Sequence, residues 1–362
     1  MGEDGVVDAD QGAAWRPDVL GDGFEQRDLE LPGGHVATLV RYTGGFGDGA
    51  TDLDQGQDQG HGQDANQARD QAQDQGSVAE PSQPGKPAVL YLHGFVDYFF
   101  QAHQAKAFAA RGYPFYAIDL RGYGRSIGRG NDHPAPNYVP NIAIYAQDLD
   151  AAVAAIETEG HTGVVLVGHS TGGLIGPLWA KARPGHPLKA LVLDSPWLDF
   201  NRNWLMRGPV TQLIRAIGPV APRTKVGGLK SHYGLALHQD TGGEWDYSLA
   251  WKPHEGFPVA ASWFASIRRG QAQVKKGLNL TMPILVMTSL RVGDPRRATP
   301  EQLTTDTVLD PRQMWRLAPK LGLQVEVHAL DGAAHDLALS PEPTRTRYLT
   351  ETIDWLDRVL GG

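Results

Sequence analysis

Val164-Val165-Leu166-Val167-Gly168-His169-Ser170-Thr171-Gly172-Gly173-Leu174 is the stretch on which the reading of this chain turns. A β-branched, apolar run leads into a serine with a glycine two residues away on each side, and Leu174 to Ala182 then reads as a helix. A strand that turns sharply at a serine and enters a helix lifts the hydroxyl clear of the backbone as a nucleophile. The serine then takes a left-handed backbone, φ > 0, and its neighbours two positions away must be small to avoid a clash. The pattern Gly-x-Ser-x-Gly is weak by itself, and it recurs at Gly124-Arg125-Ser126-Ile127-Gly128. There the flanks are Arg121-Gly122-Tyr123 and Arg129-Gly130-Asn131, a polar loop with no helix to enter. Ser170 is therefore read as the nucleophile and Ser126 as a loop residue.

Outward from the elbow, short apolar runs recur at Ala88–Leu92, Phe115–Leu120, Val164–Val167, Ala190–Leu193, Ile284–Met287 and Val325–Leu330. Runs of this length, rich in Val, Ile and Leu, are buried strands. Between them lie helical stretches at Gln101–Arg111, Ile142–Glu159, Leu174–Arg183 and Thr344–Leu360; Ile142, Tyr145, Leu149, Val153 and Ile156 fall on one helix face. Alternation of this kind predicts an α/β fold, a mostly parallel central sheet flanked by helices. Two intervals break it. Gly44 to Gly76 is dominated by Gly, Asp and Gln and cannot bury enough apolar surface to offset its ordering entropy, so 44–87 is read as a disordered loop. From Trp197 to Leu280 no convincing strand occurs, but Trp197, Trp204, Trp245, Trp251, Trp263 and Phe264 do. These aromatics predict a helical cap, lying over the sheet's active edge or filling a small core of its own.

The elbow also places the backbone N–H of Thr171 at the start of a helix, where negative charge can develop. A second donor is expected from the loop after Leu90-Tyr91-Leu92-His93-Gly94-Phe95, with the N–H of Phe95 as the candidate and His93 bonding that loop's own backbone. In elbow-type serine enzymes the acid and then the histidine follow the serine. His335, in the small-residue loop Asp331-Gly332-Ala333-Ala334-His335 beyond the last strand, projects over the carboxyl edge of the sheet and is the candidate base. For the acid, spacing after Ile284–Thr288 favours Asp294. Asp306 and Asp310 lie further on, and the residues alone leave the choice open.

Composition narrows the partners. The chain has 362 residues, 41% hydrophobic, enough for one large core. A net charge of −8 argues against nucleic acid. No run approaches the roughly 18 apolar residues of a membrane span, so stable membrane insertion is not expected. The first residues lack the pattern of a secretory signal, and a cytoplasmic protein is expected. Without cysteine neither disulfides nor thiolate metal sites can form.

Tyr91-Leu92-His93-Gly94-Phe95, Asp119-Leu120-Arg121-Gly122-Tyr123-Gly124-Arg125-Ser126 and Gly168-His169-Ser170-Thr171-Gly172-Gly173 together resemble the monoacylglycerol lipase and lysophospholipase group of α/β hydrolases, also labelled serine aminopeptidase-like. The resemblance runs from about residue 88 to 360. It implies the α/β-hydrolase fold with a helical cap after the sixth strand. Residues 1–43 would then supply N-terminal core strands, 88–196 and 281–362 the two parts of the core, and 197–280 the cap. The group's acid stands in a stretch like Asp306-Thr307-Val308-Leu309-Asp310-Pro311, which puts Asp306 in its place. This chain inserts about a dozen residues before that stretch, which keeps Asp294 as the alternative. The implied activity is hydrolysis of a small-molecule ester (monoacylglycerol, lysophospholipid or aryl ester) by Ser170, Asp306 and His335, with Phe95 and Thr171 as oxyanion donors and no metal or organic cofactor. An aminopeptidase-like activity and a non-catalytic ligand-binding role are the alternatives.

Overall fold

The computed structural model describes residues 14–44, 85–130, 135–200, 220–228 and 231–361. Most of the interval expected to be a disordered loop, 45–84, lies outside the described residues, as do 1–13 and, in the expected cap, 201–219.

Nine strands form one sheet in the order β1-β2-β3-β5-β4-β6-β7-β10-β11. Its members are β1 (Arg16–Pro17), β2 (Phe24–Leu31), β3 (His35–Tyr42), β4 (Ala88–Leu92), β5 (Phe115–Asp119), β6 (Val164–His169), β7 (Leu188–Asp194), β10 (Ile284–Ser289) and β11 (Val325–Leu330). Strands β1 to β3 pair antiparallel and β3 meets β5 antiparallel, while the six from β5 to β11 are parallel. The helices are α1 (Ala102–Ala110), α2 (Tyr145–Thr158), α3 (Gly172–Ala182), α4 (Ser231–Leu237), α5 (Ala261–Lys276), α6 (Pro311–Leu317) and α7 (Thr344–Leu360). Each expected strand and helix of the core is present.

Burial on both faces explains the continuous apolar runs. Along β4 and β6, Leu90, Leu92 and Leu166 point into a core shared with α2, α3 and α5. Val89, Tyr91, Val165 and Val167 point the other way, into a core shared with α1 and α7. This is the period-two alternation of a strand sandwiched between two helical layers.

The order of strands creates the site. From central β4 the chain passes to β5 on one side and then to β6 on the other, so successive connections diverge and leave a crevice at the carboxyl edge. Register aligns the strand ends there: Leu92 with Gly168, His169 with Asp194, and Ser289 with Leu330. The loops that carry Phe95, Ser170, Asp306 and His335 therefore leave the sheet along one edge. The second Gly-x-Ser-x-Gly stays structural. Ser126 is fully buried, hydrogen-bonded to Thr38 at 3.0 Å and to the carbonyl of Asp119 at 2.9 Å. Arg125 beside it is held by Asp18 and Asp119, each at 2.8 Å, which pins the N-terminal residues to β5.

The interval between β7 and β10 departs from the expectation of a purely helical cap. A two-stranded antiparallel ribbon, β8 (Lys225–Gly227) with β9 (Val259–Ala260), lies within it. Its last helix, α5, belongs to the main core: Trp263, Phe264, Ile267 and Val274 are buried against the α3 side of the sheet. The short length of the two strands and their partly exposed residues explain why no apolar run announced them. Trp245 and Trp251 instead join a small separate cluster with Tyr98, Phe100, Leu237 and Tyr247. That cluster joins the cap interval to the loop after β4 rather than forming a core of the cap's own; Trp204 lies outside the described residues.

Candidate active site

At the end of β6 the chain turns through Ser170, whose φ is 51°. The glycines around it are dictated by contact. A Cβ on Gly172 would lie 2.3 Å from the carbonyl oxygen of Leu92, and one on Gly168 would lie 2.9 Å from the backbone of Gly172. The elbow is anchored by its neighbours: Ser170 N–H donates to the carbonyl of Asp194 at 2.9 Å, and Trp197 N–H donates to the carbonyl of Ser170 at 2.9 Å.

Three of the residues singled out in the sequence come together. Ser170 Oγ lies 3.0 Å from His335 Nε2, and His335 Nδ1 lies 3.0 Å from Asp306 Oδ2. The other oxygen of Asp306 accepts the N–H groups of Val308 at 2.9 Å and Leu309 at 2.7 Å. With a carboxylate at Nδ1, the imidazole carries its proton there and offers the Nε2 lone pair to the serine hydroxyl. All three side chains are buried. Asp294, the alternative acid, is elsewhere: its carboxylate accepts from Arg296 Nε at 3.0 Å and caps its own turn at Arg296 N–H. Asp310 caps α6 through Arg312 N–H, with Pro311 in the first helical position. The insertion after β10 folds back by a bridge between Val292 and Asp306, which returns Asp306 to the sheet edge although it is remote in sequence.

The loop after β4 passes directly beside the elbow; a Cβ on Gly94 would sit 3.2 Å from Ser170 Cβ. His93 bonds this loop's backbone, as expected: Nε2 accepts Leu120 N–H at 3.1 Å, so the proton is on Nδ1 and is given to the carbonyl of Gly94 at 2.8 Å. Burial lowers the pKa of that ring, in keeping with a neutral structural role. Val96 is held at φ 53°, a strained value for a β-branched residue, by its N–H bond to Asn137 Oδ1 at 2.8 Å. The N–H groups of Phe95 and Thr171 donate to no acceptor among the described residues.

A cavity of about 1360 Å³ opens over Ser170 and His335. One wall is aromatic, made by Phe95, Trp197, Phe200, Trp263 and Phe264, with Phe95 and Trp263 ring centroids 4.5 Å apart. The other walls bring Lys252 and His254 from the cap interval and Arg296 and Arg312 from the segment before and after Asp306.

Sequence reading missed a group of buried charges beneath the elbow. Asp97, Asp194, Asp336 and His169 are at most 5% exposed. Oxygens of Asp97 and Asp336 and a ring nitrogen of His169 all lie within 4.8 Å of one another, and His169 Nδ1 is 3.5 Å from Asp194 Oδ2. Lys252 pairs with Asp97, and Gln101 donates to Asp336 at 2.9 Å. Burial by itself pushes the His169 ring down, but Asp336, Asp194 and Asp97 outweigh it and hold its pKa up at about 9. Burial pushes Asp194 up to about 6 against the pull of His169. For Asp97 burial is more than reversed by Lys252 and His169, leaving its carboxyl below the ordinary range. The only sequence signal was adjacency: His169 precedes Ser170 and Asp336 follows His335.

Comparison with known proteins follows the same lines. A family model described as serine aminopeptidase, S33 (Hydrolase_4) matches residues 83–342. Monoacylglycerol lipase of Mycolicibacterium smegmatis is 26% identical over 223 residues, 61% of this chain and 74% of that protein. Epoxide hydrolase 4 of Mus musculus is 34% identical over 133 residues, covering 36% of this chain and 34% of its own length, so the chain spans about a third of that relative. Among solved structures, the monoacylglycerol lipase of Paleococcus ferrophilus superposes with TM-score 0.56 at 19% identity, over 76% of this chain and 96% of that one. Identity at that level establishes a shared fold. No helix among the described residues is long and apolar enough to cross a membrane.

Proposed function

The chain belongs to the serine aminopeptidase, S33 family of α/β hydrolases, and from that premise we propose that it hydrolyses carboxylic esters through an acyl-enzyme on Ser170. The observation that carries this reading is the pair of 3.0 Å contacts linking Ser170, His335 and Asp306. His335 takes the serine proton as Oγ attacks the acyl carbonyl, and Asp306 holds the imidazole in the working tautomer and balances the imidazolium that forms. The N–H groups of Phe95 and Thr171 receive the oxyanion. Each such donor is worth on the order of 3 kcal/mol of barrier. His335 next protonates the departing alkoxide, and water then repeats the sequence on the acyl-enzyme.

The aromatic wall of the cavity favours an apolar acyl or aryl group, so monoacylglycerols, lysophospholipids and aryl esters are the proposed substrates; the named lipase relatives support the first of these. An aminopeptidase needs a free carboxylate to receive an amino terminus. Among the described residues the carboxylates of the cavity wall, Asp97, Asp294 and Asp310, are each paired with a cation, Lys252, Arg296 and Arg312, which weighs against that reading.

A fluorophosphonate reagent tests the assignment. The wild-type chain is expected to label at Ser170 and to release nitrophenol from acyl esters of graded length, and Ser170→Ala to do neither while keeping its thermal midpoint. Turnover of aminoacyl anilides or epoxides in preference to esters would replace the ester reading. Labelling that survives Ser170→Ala would remove the nucleophile.

A further inference from the structure

The proposed chemistry uses Ser170, His335 and Asp306 and leaves the charges beneath them unemployed. Four features set that group apart. The carboxylates of Asp97, Asp194 and Asp336 arrive from three different connections, after β4, at the end of β7 and after β11. They converge on one ring, that of His169, which stands next to Ser170 and makes a T-shaped contact with the ring of His335 at 5.0 Å between centroids. His169 Nδ1 and Asp194 Oδ1 are buried without a hydrogen-bond partner. Buried polar atoms left in that state are costly, and persist where neighbouring charge or a working role holds them. Finally, two groups from the cap interval reach the same place: Lys252 pairs with Asp97, and Tyr233 on α4 accepts the backbone N–H of Asp336 at 3.0 Å.

We propose that His169 is a positioning residue: enclosed by Asp97, Asp194 and Asp336, it ties the loop that bears Phe95 and the loop that bears His335 onto the elbow that bears Ser170, and Lys252 extends that tie to the cap. The inference rests on the proposed hydrolase reading for its kinetic consequence, but the tie itself is a structural claim. The loop after β4 is held along its length by hydrogen bonds to its neighbours, and Asp97 is its contact with the ring of His169. His93 Nδ1 donates to the carbonyl of Gly94, Val96 N–H donates to Asn137 and Phe99 N–H donates to Asp119 at 2.9 Å, while Asp97 itself, 3.4 Å from Gly94 N–H, turns towards His169. The His335 loop is fixed through Asp336, which accepts Ala338 N–H and the Gln101 amide, and through Leu337 N–H donating to Asp194 at 3.1 Å. Asp194 and Asp336 therefore already touch the base's loop, and Asp97 touches the oxyanion loop; His169 is the cation they share.

The titratable groups facing His169 are Asp97, Asp194, Asp336 and His335, with Lys252 beyond them on Asp97. The carboxylates outweigh burial, so the imidazole stays protonated until the pH rises through about 9. Below that value the tie is intact; above it, three carboxylates face a neutral ring and only Lys252 remains as a cation between the loops. Lys252 already balances the charge of Asp97 and Gln101 already donates to Asp336, which favours an ion-pair tether over a metal cage.

The test compares full-length wild type, His169→Gln and Lys252→Gln by ester kinetics across pH and by amide hydrogen exchange. His169→Gln is expected to lower kcat by about 10- to 100-fold, the scale of a small misplacement of reacting groups, with a much smaller change in KM. It should also abolish the wild type's alkaline decline near pH 9 and speed exchange in the segments 94–98 and 334–338. Lys252→Gln should speed exchange in 94–98 and 247–254 and leave 334–338 protected. If His169→Gln does not fold, Asp97→Asn replaces it, with faster exchange in 94–98 expected. Wild-type exchange in both loops, or a kcat loss with the alkaline limb unchanged, would overturn the proposal. Should the wild type hydrolyse no ester, the hydrolase reading falls and the exchange data alone decide the tether.

Discussion

Replacing Asp306 by asparagine changes one charge and leaves shape almost untouched, and the surrounding bonds say what should follow. Asp306 Oδ2 faces His335 Nδ1 at 3.0 Å, while Oδ1 accepts the N–H groups of Val308 at 2.9 Å and Leu309 at 2.7 Å. Asparagine has one acceptor oxygen where aspartate has two. If that oxygen stays on the two N–H groups, the amide NH2 turns towards His335 Nδ1. Donor would then meet donor unless the imidazole moves its proton to Nε2, a tautomer always open to it. If the amide flips instead, its NH2 opposes Val308 and Leu309 N–H. Losing the bond to the buried Leu309 N–H alone costs roughly 1–3 kcal/mol, and the part-buried Val308 N–H adds to it. The first orientation wins, so Nε2 becomes a donor towards Ser170 and can no longer take its proton. The expected loss in kcat is about 10⁴-fold, about 5 kcal/mol of barrier, with KM and the thermal midpoint nearly unchanged. Steady-state nitrophenol release from Asp306→Asn, beside Asp294→Asn as the comparison, measures it. A Asp306→Asn enzyme within tenfold of wild type, or an equal loss in Asp294→Asn, would refute the reasoning.

Two further expectations concern stability. Gly172→Ala drives a Cβ to 2.3 Å from the carbonyl oxygen of Leu92 and 2.6 Å from that of His93. Neither backbone can retreat without moving β4, so the variant should lose about 3 kcal/mol in urea unfolding, and an unchanged midpoint would contradict the packing described. His169 makes stability depend on pH on the alkaline side. Its folded pKa of about 9 exceeds the unfolded value, so its contribution is complete below about pH 6.5 and is lost as the pH rises through about 9. It amounts to about 3 kcal/mol at most. Urea midpoints measured from neutral pH to above that value should fall in wild type and fall less in His169→Gln. Parallel curves for the two proteins would show that this ring is not the titrating group.

Local chemistry carried much of this protein on its face. The strands from Ala88 to Leu330 were legible because a parallel strand buried on both sides must be continuously apolar, and α7 because Tyr348, Leu349, Thr352, Ile353 and Leu356 repeat at helical spacing on its buried face. The elbow was legible because a serine at φ 51° needs small neighbours whatever surrounds it. Ser126, which shares the pattern, was separable by its flanks. The ribbon of β8 and β9 was not legible: two- and three-residue strands with half-exposed side chains carry no periodicity to read.

What the residues could not settle by themselves was which carboxylate meets His335. Asp294 and Asp306 are both polar residues on one loop, and spacing preferred the nearer; it took family resemblance to point to the farther. Only the folded chain brings Val292 beside Asp306, carries the intervening residues outward and leaves Asp294 with Arg296. The ring of charges around His169 lay further still from sequence reading. Its members come from four connections, and the field at a buried imidazole is a sum over groups whose separations exist only after the sheet edge has assembled them. Backbone conformation is decided by near neighbours in the chain, whereas electrostatics is decided by near neighbours in space.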